Sequence, residues 1–204
     1  MSTVEFGLSV SRVTDIKTVA RRVEALGFDY LASGEHVMFH GPVPNAFVRL
    51  AVAAGATERI KLLSAITLVP LYPAALLAKL AATLDHDSGG RFNLGVGVGG
   101  EYPKEFEAVG VPVGERGART NEALEVLRRL LTGETVSFEG RFTRFQEGRI
   151  SPAPIQKPLP IWVAGRKEAA MKRAARYGDV WMPYMYSPQQ LEQSRETLRR
   201  LAQA

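Results

Sequence analysis

Glu35 and His36 stand side by side just past Phe28-Asp29-Tyr30-Leu31-Ala32-Ser33-Gly34, a mostly apolar run that reads as a strand and would deliver both residues at its carboxyl end. A histidine placed there can exchange a proton near neutral pH, so the pair is a candidate for general acid–base work. A loop histidine bonded to a backbone carbonyl is the plainer reading of the same residues. His40, in a proline-rich loop, reads as a rim residue, and His86, beside Asp85 at a helix end, as structural. A second feature is Phe92-Asn93-Leu94-Gly95-Val96-Gly97-Val98-Gly99-Gly100-Glu101, an apolar strand with glycine at alternate positions. Glycine inside a strand loses packing and backbone entropy, so its repetition marks a face that something approaches closely, either a tight interior or a flat ligand. Gly95, Gly97 and Gly100 also fit G-x-G-x-x-G. That fingerprint needs a helix opening at its third glycine, whereas Pro103 and a further loop precede the helical pattern that starts near Glu115, and a dinucleotide loop is discounted. A third feature is Val163-Ala164-Gly165-Arg166-Lys167, where a strand end meets a helix start. Free N–H groups and the helix dipole there suit a phosphate, with Arg166 or Lys167 adding charge; ordinary turn chemistry is the alternative.

These residues are carried on an alternation of strand and helix patterns. Val4–Val10 alternates as a strand, and Asp15–Leu26 has one apolar face and a closing Gly27. After Phe28–Gly34 come a helix over Ala46–Ala54, a strand over Ile60–Leu68 and an alanine-rich helix over Ala74–Leu84. Phe92–Gly99 is the fourth strand and Glu115–Leu131 the fourth helix. The rhythm then breaks into a hairpin over Thr135–Phe145, turning at Glu139-Gly140, and a proline-punctuated crossing over Ser151–Pro160. Pro160–Gly165 and Asp179–Met182 are the last strands, with helices over Lys167–Tyr177 and Pro188–Ala202. Buried apolar strands alternating with helices imply a parallel sheet. The pattern does not separate an open doubly wound sheet from a closed β/α barrel. In both, ligands gather at the carboxyl ends of the strands, where Glu35, His36, Ser64, Gly99, Glu101 and Gly165 fall.

Composition narrows the classes. With 204 residues, 46% hydrophobic and 23% charged, the chain suits one globular domain. It has no cysteine, which excludes disulfides and thiolate metal sites, and a cytoplasmic location follows as the simplest expectation. Met1-Ser2-Thr3-Val4-Glu5 leads into the first strand with no signal-like pattern, and no run is long enough to span a membrane. The formal charge is +5, but Lys and Arg are interspersed with Asp and Glu and no basic run with interleaved aromatics occurs. An anionic small ligand is therefore expected rather than nucleic acid.

Leu84-Asp85-His86-Asp87-Ser88-Gly89-Gly90-Arg91 running into the glycine strand, Glu105-Phe106-Glu107-Ala108-Val109-Gly110-Val111-Pro112, Glu115-Arg116-Gly117-Ala118-Arg119, Pro160–Gly165 and Ala174–Trp181 together resemble the bacterial-luciferase-like monooxygenases, most of all their F420-dependent oxidoreductase branch. The resemblance implies a TIM-type β/α barrel with a flavin or the deazaflavin F420 at the carboxyl ends of its strands. By that resemblance His36, with Glu35 beside it, is the catalytic candidate. Ser64, Ala65 and Ile66 fall where the family often carries a non-proline cis peptide against the cofactor's central ring. Val98, Gly99 and Glu101 would flank that ring, with Glu101 near a ribityl-like hydroxyl, and Ala164, Gly165 and Arg166 would hold the phosphate. The implied reaction is hydride transfer between F420 and a small organic substrate, with no metal. FMN and monooxygenation are the alternative, and flavin binding without turnover and a phosphosugar enzyme are further readings. A homodimer is expected.

The chain supplies six strand–helix units where the barrel closes with about eight. The reading is a single luciferase-like barrel domain over residues 1–204, incomplete, with a hairpin inserted before the fifth strand. A C-terminal truncation is expected in preference to a partner subunit that covers the gap, because bare sheet edges invite aggregation.

Overall fold

The computed structural model describes residues 4–203; the opening Met1-Ser2-Thr3, where no signal-like pattern is expected, lies outside them. Nine strands are present among the described residues: β1 (Gly7–Ser9), β2 (Tyr30–Ser33), β3 (Lys61–Ser64), β4 (Thr67–Leu68), β5 (Phe92–Gly97), β6 (Val136–Glu139), β7 (Arg144–Gly148), β8 (Ile161–Ala164) and β9 (Val180–Met182). The main sheet is all parallel, in the order β1-β2-β3-β5-β8-β9, with β4 also paired to β5. Strand order follows chain order without the reversal that defines a doubly wound sheet, so the curled sheet is part of a β/α barrel. Its edges, β1 and β9, each pair on one side only among the described residues. The inserted hairpin before β8 is β6–β7, its turn closed by Gly140 N–H donating to the Thr143 carbonyl.

Helices α1 (Ile16–Ala25), α2 (Ala46–Ala54), α3 (Ala74–Asp87), α4 (Pro103–Ala108), α5 (Arg116–Leu130) and α6 (Glu168–Tyr177) lie between strands, and α7 (Pro188–Ala202) follows β9. Their starts are set locally: Asp15 caps α1 through Thr18 N–H, Asn45 caps α2 through Val48 N–H, and Ser187 and Gln190 form a capping box on α7. The stretch after Pro103, expected as loop, is instead helix α4. Proline at its first turn needs no N–H donor there, and Phe106 is buried beneath it. The core lies between sheet and helices and includes Leu31, Leu62, Phe92, Leu94 and Ile161 from the strands and Leu77, Leu124 and Leu127 from α3 and α5. Each such side chain contributes about 1.5–3 kcal/mol on burial.

One irregularity shapes the site. Leu62 and Leu63 pair with Phe92 and Asn93, but Thr67 and Leu68 pair with Val96 and Gly97, so the β3–β4 strand carries one residue more than β5 over the same span. This is a β-bulge, and the Ala65–Ile66 peptide within it is cis. The bulge needs room on both sides. A Cβ on Gly34 would lie 2.7 Å from the Ala65 carbonyl oxygen, one on Gly95 1.9 Å from the Ser64 carbonyl oxygen, and one on Gly97 1.8 Å from Ile66 Cδ1. The alternating glycines of β5 therefore first satisfy a tight interior.

Candidate functional site

The bulge divides a cleft at the carboxyl ends of the strands. On one side is a cavity of about 430 Å³ with Ser9, Ser11, Arg12, His36, Phe39 and Val43 on its walls. On the other is a slot of about 340 Å³ walled by Gly97, Val98, Gly99, Ala164, Gly165, Met182 and Tyr184. Ala65, Ile66 and Glu101 border both.

His36 lies on the wall of the first cavity, and its ring is fixed. Nδ1 is 3.1 Å from Glu105 Oε2 and 3.2 Å from Oε1, and Phe39 stacks on the ring with centroids 4.0 Å apart. Glu105, on α4, is fully buried, and its carboxylate also accepts from Val37 N–H at 3.2 Å. A buried carboxylate is tolerated only with such partners. Donation from Nδ1–H to Glu105 leaves Nε2 as the nitrogen available to the cavity. Sequence reading missed Glu105, which lies 69 residues from His36. Its signal was the Pro-x-Glu at a helix start, with Pro103 opening α4 and Glu105 in its first turn.

Glu35 lines the same cavity, but its carboxylate is committed elsewhere. It accepts from Leu68 N–H at 3.0 Å, Ala46 N–H at 3.2 Å, Asn45 Nδ2 at 3.1 Å and the Tyr72 hydroxyl at 2.9 Å, tying the end of β2 to α2 and β4. Burial pushes the Glu35 carboxyl above its ordinary 4.5, against those hydrogen bonds and the nearby His36, and burial together with Glu35 pushes the Tyr72 phenol up. The folded state therefore holds the Glu35 proton more tightly than the unfolded chain. The resulting stability is complete below the unfolded value and is lost as pH rises through the raised folded one. Unfolding midpoints followed across that window are expected to fall with pH in the wild type and to fall less in Glu35→Gln; equal slopes would contradict the assignment.

Of the residues singled out in the sequence, the structure brings Glu35, His36, Ala65, Ile66, Val98, Gly99, Glu101, Ala164 and Gly165 to the two cavities. Ser64 and Arg166 are not on their walls. Ser64 is fully buried; its hydroxyl donates to the Gly95 carbonyl and accepts from Gly95 N–H, both at 2.9 Å, which ties the bulge to β5. The Arg166 guanidinium lies over the Tyr184 ring at 4.7 Å. His40 is exposed and edge-on to Tyr102, and His86 is exposed with Nδ1 3.2 Å from Asp87, while Asp85 accepts from Ile155 N–H and Gln156 N–H of the crossing segment. Arg12, Phe39, Met182 and Tyr184 join the site without having been singled out.

Apart from Glu101 and Tyr184, the slot is walled by glycine, alanine and apolar side chains. Beyond Gly165, held at φ +136° with its carbonyl accepting from Trp181 Nε1, α6 opens with no side-chain cap, so its first N–H groups can serve an anion. Among the described residues no helix is long and apolar enough to cross a membrane.

Fold and cleft together place the candidate site at the carboxyl ends of a curled, parallel β/α sheet. The profile of the luciferase-like monooxygenase family matches residues 3–204, and the chain belongs to that family. It is 35% identical over 175 residues to an uncharacterized protein of Mycobacterium tuberculosis, covering 85% of this chain and 60% of that one. It is 34% identical over 191 residues to the FMNH2-dependent dimethylsulfone monooxygenase of Pseudomonas putida, covering 86% of this chain and 52% of the other. An F420-dependent secondary alcohol dehydrogenase solved with an F420–acetone adduct superposes with a TM-score of 0.89 at 26% identity, over 99% of this chain and 64% of that one. The chain thus spans just over half to about two-thirds of the length of these proteins.

Proposed function

We propose that the protein is an F420-dependent oxidoreductase that moves a hydride between the deazaflavin and a small organic substrate, with His36 as the proton donor or acceptor. The observation that carries this reading is the buried Glu105 bonded to His36 Nδ1 at the wall of a cavity that shares Ala65, Ile66 and Glu101 with a glycine-lined slot. Bound in that slot, F420 would supply hydride exchange at a single ring carbon with little activation of oxygen. Ile66, Gly97 and Gly99 would border the ring, Glu101 would face a hydroxyl of its side chain, and Gly165 with the start of α6 would take the phosphate. His36 Nε2 accepts the hydroxyl proton when an alcohol is oxidised and returns it to the oxygen when a carbonyl is reduced. Glu105 holds the tautomer throughout and offers a counter-charge to the protonated ring. Phe39 and Val43 give that face apolar walls.

FMN-dependent monooxygenation is the second reading, favoured by the 34% identity to the dimethylsulfone monooxygenase. Turnover separates the two. The F420 reading expects F420 to be reduced by alcohols, or reduced F420 to be consumed with carbonyl compounds, without oxygen uptake. Oxygen uptake with reduced FMN and no F420 turnover would replace it. A homodimer in the cytoplasm, acting on a small molecule, belongs to the same proposal.

A further inference from the structure

The wall of the 430 Å³ cavity carries a cation that the proton chemistry leaves unused. Arg12 follows β1, is exposed, has no hydrogen bond or ion pair among the described residues, and lines the same cavity as His36. Beside it are Ser9 and Ser11, whose hydroxyl oxygens are 3.3 Å apart. Ser11 Oγ also accepts from Gly34 N–H at 2.8 Å, and since one hydroxyl proton serves the Ser9–Ser11 contact, the other of the pair is left to donate. This wall therefore presents one fixed positive charge and a hydroxyl donor. The remaining lining includes Phe39, Val43 and Leu68, which suit a short carbon skeleton. Glu101 borders both cavities, and its negative charge would sort an anionic ligand away from that seam toward Arg12.

Resting on the oxidoreductase reading, we propose that Arg12, with Ser9 and Ser11, is the subsite for a substrate carboxylate, so that the substrates are small hydroxy or oxo acids whose reacting oxygen faces His36. A guanidinium matches a carboxylate through two parallel N–H donors, and the charge-assisted bonds are the stronger kind. The substrate acid places its carboxylate on Arg12 and its alcohol or ketone carbon in the space between His36 and the bulge.

The test is ligand-observed NMR titration of the purified protein with a series of three- to six-carbon 2-hydroxy acids and the neutral alcohols that lack only the carboxylate. Wild type, Arg12→Gln and Arg12→Lys are compared, with thermal melts confirming that all three fold. Acids are expected to bind more tightly than their neutral partners, to lose about tenfold or more in Arg12→Gln and to recover part of it in Arg12→Lys, while the alcohols are unaffected. The inference is overturned if no acid outbinds its alcohol, if Arg12→Gln leaves acid binding unchanged, or if it weakens F420 alone, in which case the guanidinium serves the cofactor's anionic tail. If neither F420 nor FMN binds while acid binding still depends on Arg12, the cofactor reading fails and the carboxylate subsite stands.

Discussion

His36→Asn is expected to lower kcat by about 10²–10⁴-fold, the usual worth of a positioned acid or base, while leaving cofactor affinity within a few-fold of wild type. The ring touches the first cavity and not the glycine-walled slot, so binding and proton transfer separate at this residue. Glu105→Gln extends the test. Val37 N–H already claims one oxygen of the buried carboxylate, so a glutamine that keeps that bond turns its NH₂ toward His36 Nδ1. Nδ1 must then accept, the proton moves to Nε2, and the ring presents a donor where alcohol oxidation needs a base. A kcat loss approaching that of His36→Asn, with KM little changed, is expected in steady-state assays. Full activity in both variants would remove His36 from the mechanism.

Gly95→Ala should be the most damaging single methyl in the sheet. Its Cβ would sit 1.9 Å from the Ser64 carbonyl oxygen, a backbone atom of a residue whose hydroxyl is itself bonded to the Gly95 backbone. Neither side can yield without moving β3 or β5, and a cost of about 3 kcal/mol, at the upper end for overpacking, is expected. At this chain length that corresponds to a fall in Tm of about 6–12 °C. Gly97→Ala makes the instructive contrast. The nominal clash is as short, 1.8 Å, but it falls on Ile66 Cδ1, the tip of a flexible side chain. A loss of about 1 kcal/mol is expected there, together with weaker cofactor binding because Ile66 is pushed into the cleft. Equal destabilisation by the two variants, read from thermal melts, would show that the bulge is not the constraint.

The helices and strands are legible because their signals are local: one apolar face over Ile16–Ala25, the apolar pair Leu62–Leu63 in β3, and Phe92, Leu94 and Val96 at alternate positions of β5. The choice between open and closed sheets is not, because it depends on strand order, and strand order is set by long-range pairing. The two-residue β4 is too short to show a period. Glu105 escaped for two reasons: Pro103 was read as a loop marker when it opens a helix, and its partner His36 is distant in sequence. Glu35 and Ser64 show the reverse limit. Their positions at strand ends were readable, but a strand end does not say whether a side chain faces the cleft or is spent on neighbouring backbone, as Ser64 is on Gly95.

A cofactor ring in the slot beside the Ala65–Ile66 bulge is the claim on which the rest depends, and it is tested most directly by titrating the purified protein with F420 and, separately, with FMN while recording difference absorbance. A saturable spectral change with F420 at one equivalent per chain, tighter than with FMN and weakened in Gly97→Ala, is the expected result. No spectral change with either compound, or a change with F420 that is indifferent to Gly97→Ala, would contradict it.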